Sequence, residues 1–444
     1  MDVNRRSFLT ALLGAGAATS TGVLFASPIV PDPNDSNAIV DPDGELGKPY
    51  RGWKEGEFDL HFIHTGIGEN CFQIFPDGTT ALVDCGDWDV VAEKGARACA
   101  PAPDDSKRPG EWVARYISRL LPELKTIDYV VASHFHSDHI GCYDMGAGAT
   151  CGRDPDYQLS GIAHVGEFYR FGAAFDRGYP DYSRPTTWAP NERENLLKFW
   201  EFQEKNSGLR REKFEVGALD QIKLLKEPEK YDFHIRNIAA NGVLWDGADG
   251  SNNVDYFERW PINKSKNKNE NTRSLVTVTQ FGAFRYYSGG DASGVLTDEK
   301  GVDLDYEGAI GRLVGKVDVC KANHHSYSDA MRPSFVNAVQ ARAYVVCVWC
   351  EGHLQKNTAA AMCDDSATGY PGARMMCPTA IHPDCFQKAE GEPWRKRLVE
   401  RGGHIVVKAY DGGDKYKIYY LTAKDESMNV ELVFGPFDSK GSDV

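Results

Sequence analysis

The stretch that most limits what this chain can fold into is His134-Phe135-His136-Ser137-Asp138-His139. It follows Ile127-Asp128-Tyr129-Val130-Val131-Ala132-Ser133, a short β-branched run that reads as a buried strand. Four ligand-type side chains in six positions therefore begin where a strand stops. In an extended segment, residues two apart share a face. That lines up His134, His136 and Asp138, with His139 close behind. Gly141 then lets the backbone turn tightly around whatever the cluster holds. Imidazole nitrogens beside a carboxylate suit zinc, manganese or iron. A surface loop that is merely polar is the competing reading, and the density of the cluster at a strand end disfavours it.

Other strand ends repeat the pattern. Phe284-Arg285-Tyr286-Tyr287-Ser288 is a strand closed by Gly289-Gly290-Asp291. Val317-Asp318-Val319-Cys320-Lys321-Ala322-Asn323 reads as a buried strand ending in His324-His325. Asp176 closes another extended stretch before Arg177-Gly178, and Gly161 to Phe168 reads as a further strand carrying His164. Phe58 to Ile63 is an alternating strand. Cys71–Phe75 and Thr80–Gly86 read as strands of a hairpin around Pro76-Asp77-Gly78. Helical spacing covers Trp112 to Leu124, Asn191 to Asn206 and a helix beginning at Phe335.

The His-x-His-x-Asp-His arrangement resembles the signature of the metallo-β-lactamase superfamily. The resemblance implies an α/β fold, a four-layer αβ/βα sandwich with a one- or two-metal site between the sheet edges. It implies that His134 and His136 hold one ion, that Asp138 and His139 hold a second, completed by one of His324 and His325 with His325 favoured, and that Asp291 bridges both. Asp84-Cys85-Gly86 matches the superfamily's early Asp-x-Gly, whose carboxylate buttresses the metal loop. The third ligand of the first ion has two candidates. Asp176, at a strand end, is favoured over His164, which reads as a packed residue within an apolar stretch. Asp176 also reads as a turn cap or a partner of Arg177. Two divalent ions are expected, zinc first and manganese second. A water shared by them would lose its proton near neutral pH. Asp138 would orient that nucleophile, and His324 would donate a proton or hold substrate. No Ser or Cys nucleophile is needed.

His64-Thr65-Gly66-Ile67-Gly68-Glu69-Asn70-Cys71, Gly289-Gly290-Asp291 and the His324-His325 pair resemble one branch of the superfamily. That branch contains the hydrolase domain of a DNA-uptake channel protein and a phosphorylcholine esterase. The implied substrate is a phosphoester or phosphodiester. Hydrolysis of a lactone or β-lactam is the alternative, and a non-catalytic binding protein on the same fold is a third reading.

Asn4-Arg5-Arg6-Ser7-Phe8-Leu9-Thr10 resembles a twin-arginine export signal, and the apolar run behind it is too short for a good membrane span. Residues 1–27 are expected to be this signal, 28–57 an extended segment, and 58–444 the hydrolase domain with a β-hairpin from His404 to Phe437. Export predicts a periplasmic or extracellular protein. A net charge of -14 disfavours general nucleic-acid binding. The Lys-rich stretch from Tyr256 to Thr272 reads as solvated surface. Eleven cysteines allow disulfides outside the cytosol without fixing a pattern. Cys347 and Cys350 fall in a strand-like run and face opposite sides, which argues against a second zinc site there. The sequence leaves the oligomeric state open.

Overall fold

The computed structural model describes residues 43–87, 98–143, 150–182, 190–260, 270–363, 374–388 and 390–440. The twin-arginine stretch and the rest of residues 1–42 lie outside these, as does the heart of the Lys-rich loop, residues 261–269.

The chain first lays down β1 (Phe58–Phe62), β2 (Asn70–Ile74), β3 (Thr80–Cys85), β4 (Thr126–Ala132), β5 (Arg170–Asp176) and β6 (Arg210–Lys213). It then builds a second sheet from β7 (Phe233–Ala240), β8 (Val243–Leu244), β9 (Val254–Asp255), β10 (Val276–Phe281), β11 (Phe284–Ser288), β12 (Val319–Lys321), β13 (Ala343–Val346) and β14 (Met375–Pro378). It returns to the first sheet with β15 (His404–Tyr410), β16 (Lys415–Leu421) and β17 (Val430–Asp438). The first sheet runs β17-β16-β15-β1-β2-β3-β4-β5-β6, and the second β14-β13-β12-β11-β10-β7-β8-β9. In each, an antiparallel part joins a parallel part, β3 to β6 in one and β11 to β14 in the other.

Period-two patterning explains why the sheets stack. Phe58, Leu60 and Phe62 of β1 point into a core shared with Phe281, Phe284, Tyr286 and Val345 of the second sheet. Each such side chain stabilises by roughly 1.5–3 kcal/mol on burial. The intervening Asp59 and His61 face the other way. There Asp59 takes up the buried Lys408 ammonium of β15 at 2.7 Å, and His61 Nδ1 lies 3.1 Å from the Tyr116 hydroxyl.

Helices cover both outer faces. α1 (Pro109–Leu120), the short turns α2 (Ser137–Ile140) and α3 (Gly161–Val165), and α4 (Pro190–Ser207) lie in the first half of the chain. The second half has the one-turn α5 (Tyr256–Arg259), then α6 (Tyr306–Val314), α7 (Pro333–Val339) and α8 (Lys356–Cys363). Val113 and Ile117 of α1 and Phe199 and Trp200 of α4 pack on the first sheet. Ile310 of α6, Phe335 of α7 and Met362 of α8 pack on the second. The four layers are the αβ/βα sandwich expected from the sequence.

Three expectations are corrected. Gly161 to Phe168 is not a strand: Gly161 sits at φ +49° and opens α3, and Ile162, Ala163 and Val165 bury into the helix layer. The run from Tyr344 leaves the sheet after Val346, so Cys347 to Cys350 belong to the following loop. The C-terminal hairpin is a three-stranded meander that extends the first sheet through β15 and β1. None of the eleven cysteines, all among the described residues, is in a disulfide. Among the described residues, no helix is long and apolar enough to cross a membrane.

Candidate metal centre

The C-terminal ends of β3, β4, β11, β12 and β13 meet on one rim. β4 gives way at Ser133, and the chain passes His134 and His136 before turning into α2, which carries Asp138 and His139. Gly141 closes that turn at φ +107°, a conformation other residues reach only with strain. The neighbouring strand end holds the turn in place. Glu69 N and Gly86 N donate to Asp138 O and Glu69 O, and a Cβ on Gly86 would lie 1.9 Å from Asp138 O. That close approach is the physical reason for glycine in Asp84-Cys85-Gly86.

Asp84 itself adopts φ +58° and is fully buried. Its carboxylate accepts Ser133 N at 2.7 Å and Ser133 Oγ at 2.6 Å, and takes His139 Nδ1 at 2.8 Å. With Nδ1 turned to Asp84, His139 presents Nε2 to the centre, and a neutral ring held this way carries its lone pair there. On β12's far side, His325 Nδ1 donates to Cys347 O at 2.9 Å, which likewise turns its Nε2 into an acceptor. The two Nε2 atoms face each other at 3.1 Å. Asp291 Oδ2 lies 3.1 Å from His139 Nε2, Asp291 Oδ1 3.5 Å from His325 Nε2, and Asp138 Oδ2 3.2 Å from His325 Nε2. Asp291 Oδ1 is buried and accepts no hydrogen bond among the described residues.

Carboxylate oxygens and imidazole nitrogens thus converge on one point, the donor set that a divalent cation takes. Tetrahedral zinc ligands at about 2.0–2.1 Å stand about 3.4 Å apart, so the spacing fits a metal ion. The titration pattern carries the same demand. Burial opposes charge on His139, yet Asp291, Asp138 and Asp84 hold its pKa well above the ordinary histidine value. Burial also opposes charge on Asp291, and His139, His325 and His324 hold its pKa well below the usual carboxylate range.

A second set shares Asp291. His134 Nε2 lies 3.1 Å from His136 Nδ1 and 3.9 Å from Asp291 Oδ2. His134 Nδ1 sits 3.1 Å from Ser133 Oγ. Burial, then His139 and His136, depress the His134 pKa, so its ring stays neutral. His134, His136 and Asp291 form one group of atoms within 4.8 Å of one another, and Glu69, His139, Asp291 and His325 form another.

His324 stands at the mouth, with 20% of its side chain exposed. Nδ1 pairs with Asp329 Oδ1 at 2.5 Å, and Nε2 lies 3.9 Å from Asp291 Oδ2. Burial works against its charged form, but Asp291 and Asp329 raise its pKa. The rim is completed by Trp349, whose Nε1 donates to Asp138 Oδ2 at 3.1 Å, and by His353, stacked on His325 at 4.5 Å.

Asp176 is not brought into this cluster. Its Oδ1 accepts Gly178 N and Tyr179 N at 2.8 and 2.9 Å, and its Oδ2 accepts the Tyr182 hydroxyl at 2.8 Å. It caps its own turn, while Arg177 pairs instead with the buried Glu270 beneath Phe135. His164 lies on α3, against Gly110 of α1, and also stands apart.

Sequence reasoning passed over Glu69 and Lys321. Glu69 enters the sequence analysis only within the His64–Cys71 motif, although a carboxylate after Gly66 and Gly68 at the start of a buried strand needs a partner. Lys321 lies inside an apolar strand, where a lysine is almost never buried unless paired. The two meet, with Lys321 Nζ 2.5 Å from Glu69 Oε2.

Residues 64–145, which span Asp84 and the His134–His139 loop, match the family model of the metallo-beta-lactamase superfamily. Among solved structures, the chain is similar to a protein named as a metal-dependent hydrolase from Parabacteroides distasonis ATCC 8503. Identity is 11% and the TM-score 0.32, over 72% of this chain and 91% of that one. It is also similar to a variant of the CmlA β-hydroxylase at 10% identity and a TM-score of 0.32, over 66% of this chain and 46% of that one. No curated protein matches the chain.

Proposed function

We propose that this chain is an exported, metal-dependent hydrolase that holds two divalent ions, zinc by first preference, and cleaves a phosphoester or phosphodiester. One observation carries the metal reading: His139 Nε2 and His325 Nε2 face each other at 3.1 Å, beside Asp291 and Asp138. One ion would be held by Asp138, His139, His325 and Asp291, and the other by His134, His136 and Asp291. When bound, divalent ions lower the pKa of water and offset negative charge developing on the substrate.

The chain's own residues supply the rest. Asp84 and Cys347 O fix the two imidazoles so that their lone pairs point inward. Trp349 holds one oxygen of Asp138, which leaves the other to orient a water. His324, backed by Asp329, keeps a proton at the mouth for a leaving group or for an anionic substrate oxygen. A protonated imidazole at the rim favours a phosphate ester over a neutral lactone. The double-histidine signature of the resembling branch supports the same choice.

Metal analysis and a substrate panel test the proposal. Purified protein is expected to carry close to two ions per chain, and to hydrolyse bis-nitrophenyl phosphate faster than nitrocefin or a simple lactone. A well-folded, metal-free and inert protein would favour the binding-protein reading. Turnover confined to nitrocefin or the lactone would overturn the phosphoester assignment. Signal-dependent appearance in the periplasm tests export.

A further inference from the structure

Beneath the cluster, a lysine ammonium lies in the core between the sheets. Lys321, the last residue of β12, is fully buried. Its Nζ lies 2.5 Å from Glu69 Oε2, 3.5 Å from Asp291 Oδ1, and donates to Gly290 O at 2.5 Å. Glu69 belongs to the loop before β2, so the pair ties one sheet to the other directly under the metal rim.

Glu69 has the makings of a ligand. Its carboxylate lies within 4.8 Å of the donor atoms of His139, Asp291 and His325. Lys321 Nζ forms ion pairs with Glu69 Oε2 at 2.5 Å and with Asp291 Oδ1 at 3.5 Å, and the same Glu69 oxygen lies 3.9 Å from His325 Nδ1. Asp291 Oδ2 is left to face His139, His134 and His324 at 3.1, 3.9 and 3.9 Å.

We propose that Lys321 and Glu69 form an internal charge pair that sets how tightly the centre binds its metal: Lys321 holds Glu69 out of the ligand set and restricts Asp291 to a single oxygen. The inference rests on the metal-centre reading above. It makes the two members of one salt bridge act in opposite directions. Removing the ammonium frees a carboxylate and both oxygens of Asp291, so a metal ion is held more tightly. Removing the Glu69 charge leaves an unbalanced ammonium beside Asp291, so the ion is held less tightly.

The test is competitive zinc titration of the full chain against a chelator, with far-UV circular dichroism to monitor the fold. Glu69→Gln is expected to weaken zinc binding by about 10- to 100-fold, the usual range for groups behind a ligand. Lys321→Met is expected to tighten it, and the double variant to return close to the parent. Weakening in both single variants would mean that the pair only supports the fold, and would overturn the inference. If Lys321→Met does not fold, Glu69→Gln decides alone: unchanged or tighter binding overturns it. A folded parent chain that binds no zinc would remove the metal centre itself, a separate outcome.

Discussion

Asp84 Oδ2 takes the Nδ1 proton of His139 at 2.8 Å, and with it decides which nitrogen of that ring faces the centre. Asparagine tolerates the left-handed backbone of residue 84, but its amide no longer fixes the tautomer. Asp84→Asn is expected to keep the fold and to lose about 10- to 100-fold in metal affinity, as measured by zinc titration. Parent-like affinity would show that the orientation of His139 is set elsewhere.

Asp176 gives a contrasting case. Its carboxylate is used up by Gly178 N, Tyr179 N and Tyr182 Oη. Asp176→Asn is expected to cost about 1–3 kcal/mol in urea unfolding while metal content stays unchanged. Loss of one ion per chain would return Asp176 to the ligand set.

Gly86 tests the contact between the two loops. A methyl group there would lie 1.9 Å from Asp138 O, a backbone oxygen that cannot swing away. Gly86→Ala is expected to lower the melting temperature and metal content together. A variant that melts early but binds zinc as the parent does would separate packing from the site.

His404 predicts an acid limit on stability. Its Nδ1 accepts His64 N at 3.1 Å, and burial lowers its pKa from 6.5 to about 3. The unfolded chain therefore takes up this proton first as pH falls. Stability from the neutral ring is intact above pH 6.5 and is lost as pH drops towards 3. By pH 5 the loss is about 2 kcal/mol. His404→Asn keeps an acceptor without a titrating ring. Urea unfolding at pH 7 and pH 5 is expected to show a smaller decline in this variant than in the parent.

The sequence made the strand ends legible because they combine two strong signals, a β-branched run and an abrupt cluster of ligand-type side chains. His134, His136, Asp138, His139, Asp291, His324 and His325 were found this way, and the structure brings all of them to one rim. Asp176 sent the same signal for a different reason: a carboxylate at a strand end also caps turns, and chemistry alone does not separate the two uses. α3 was misread because Ile162 and Val165 are β-branched, while Gly161 breaks the strand backbone before they begin. Lys321 and Glu69 stayed hidden because each is informative only with its partner, and 252 positions of chain separate residue 69 from residue 321.

β1 is hydrogen-bonded to β15, and the Asp59 charge is met by Lys408 on that late strand. During synthesis β1 leaves the ribosome long before β15 does. Until then it presents a bare edge with a carboxylate awaiting its cation. The first sheet can close only once nearly all of the chain has emerged, so a stalled nascent chain that ends before His404 leaves that edge open to chaperones and proteases.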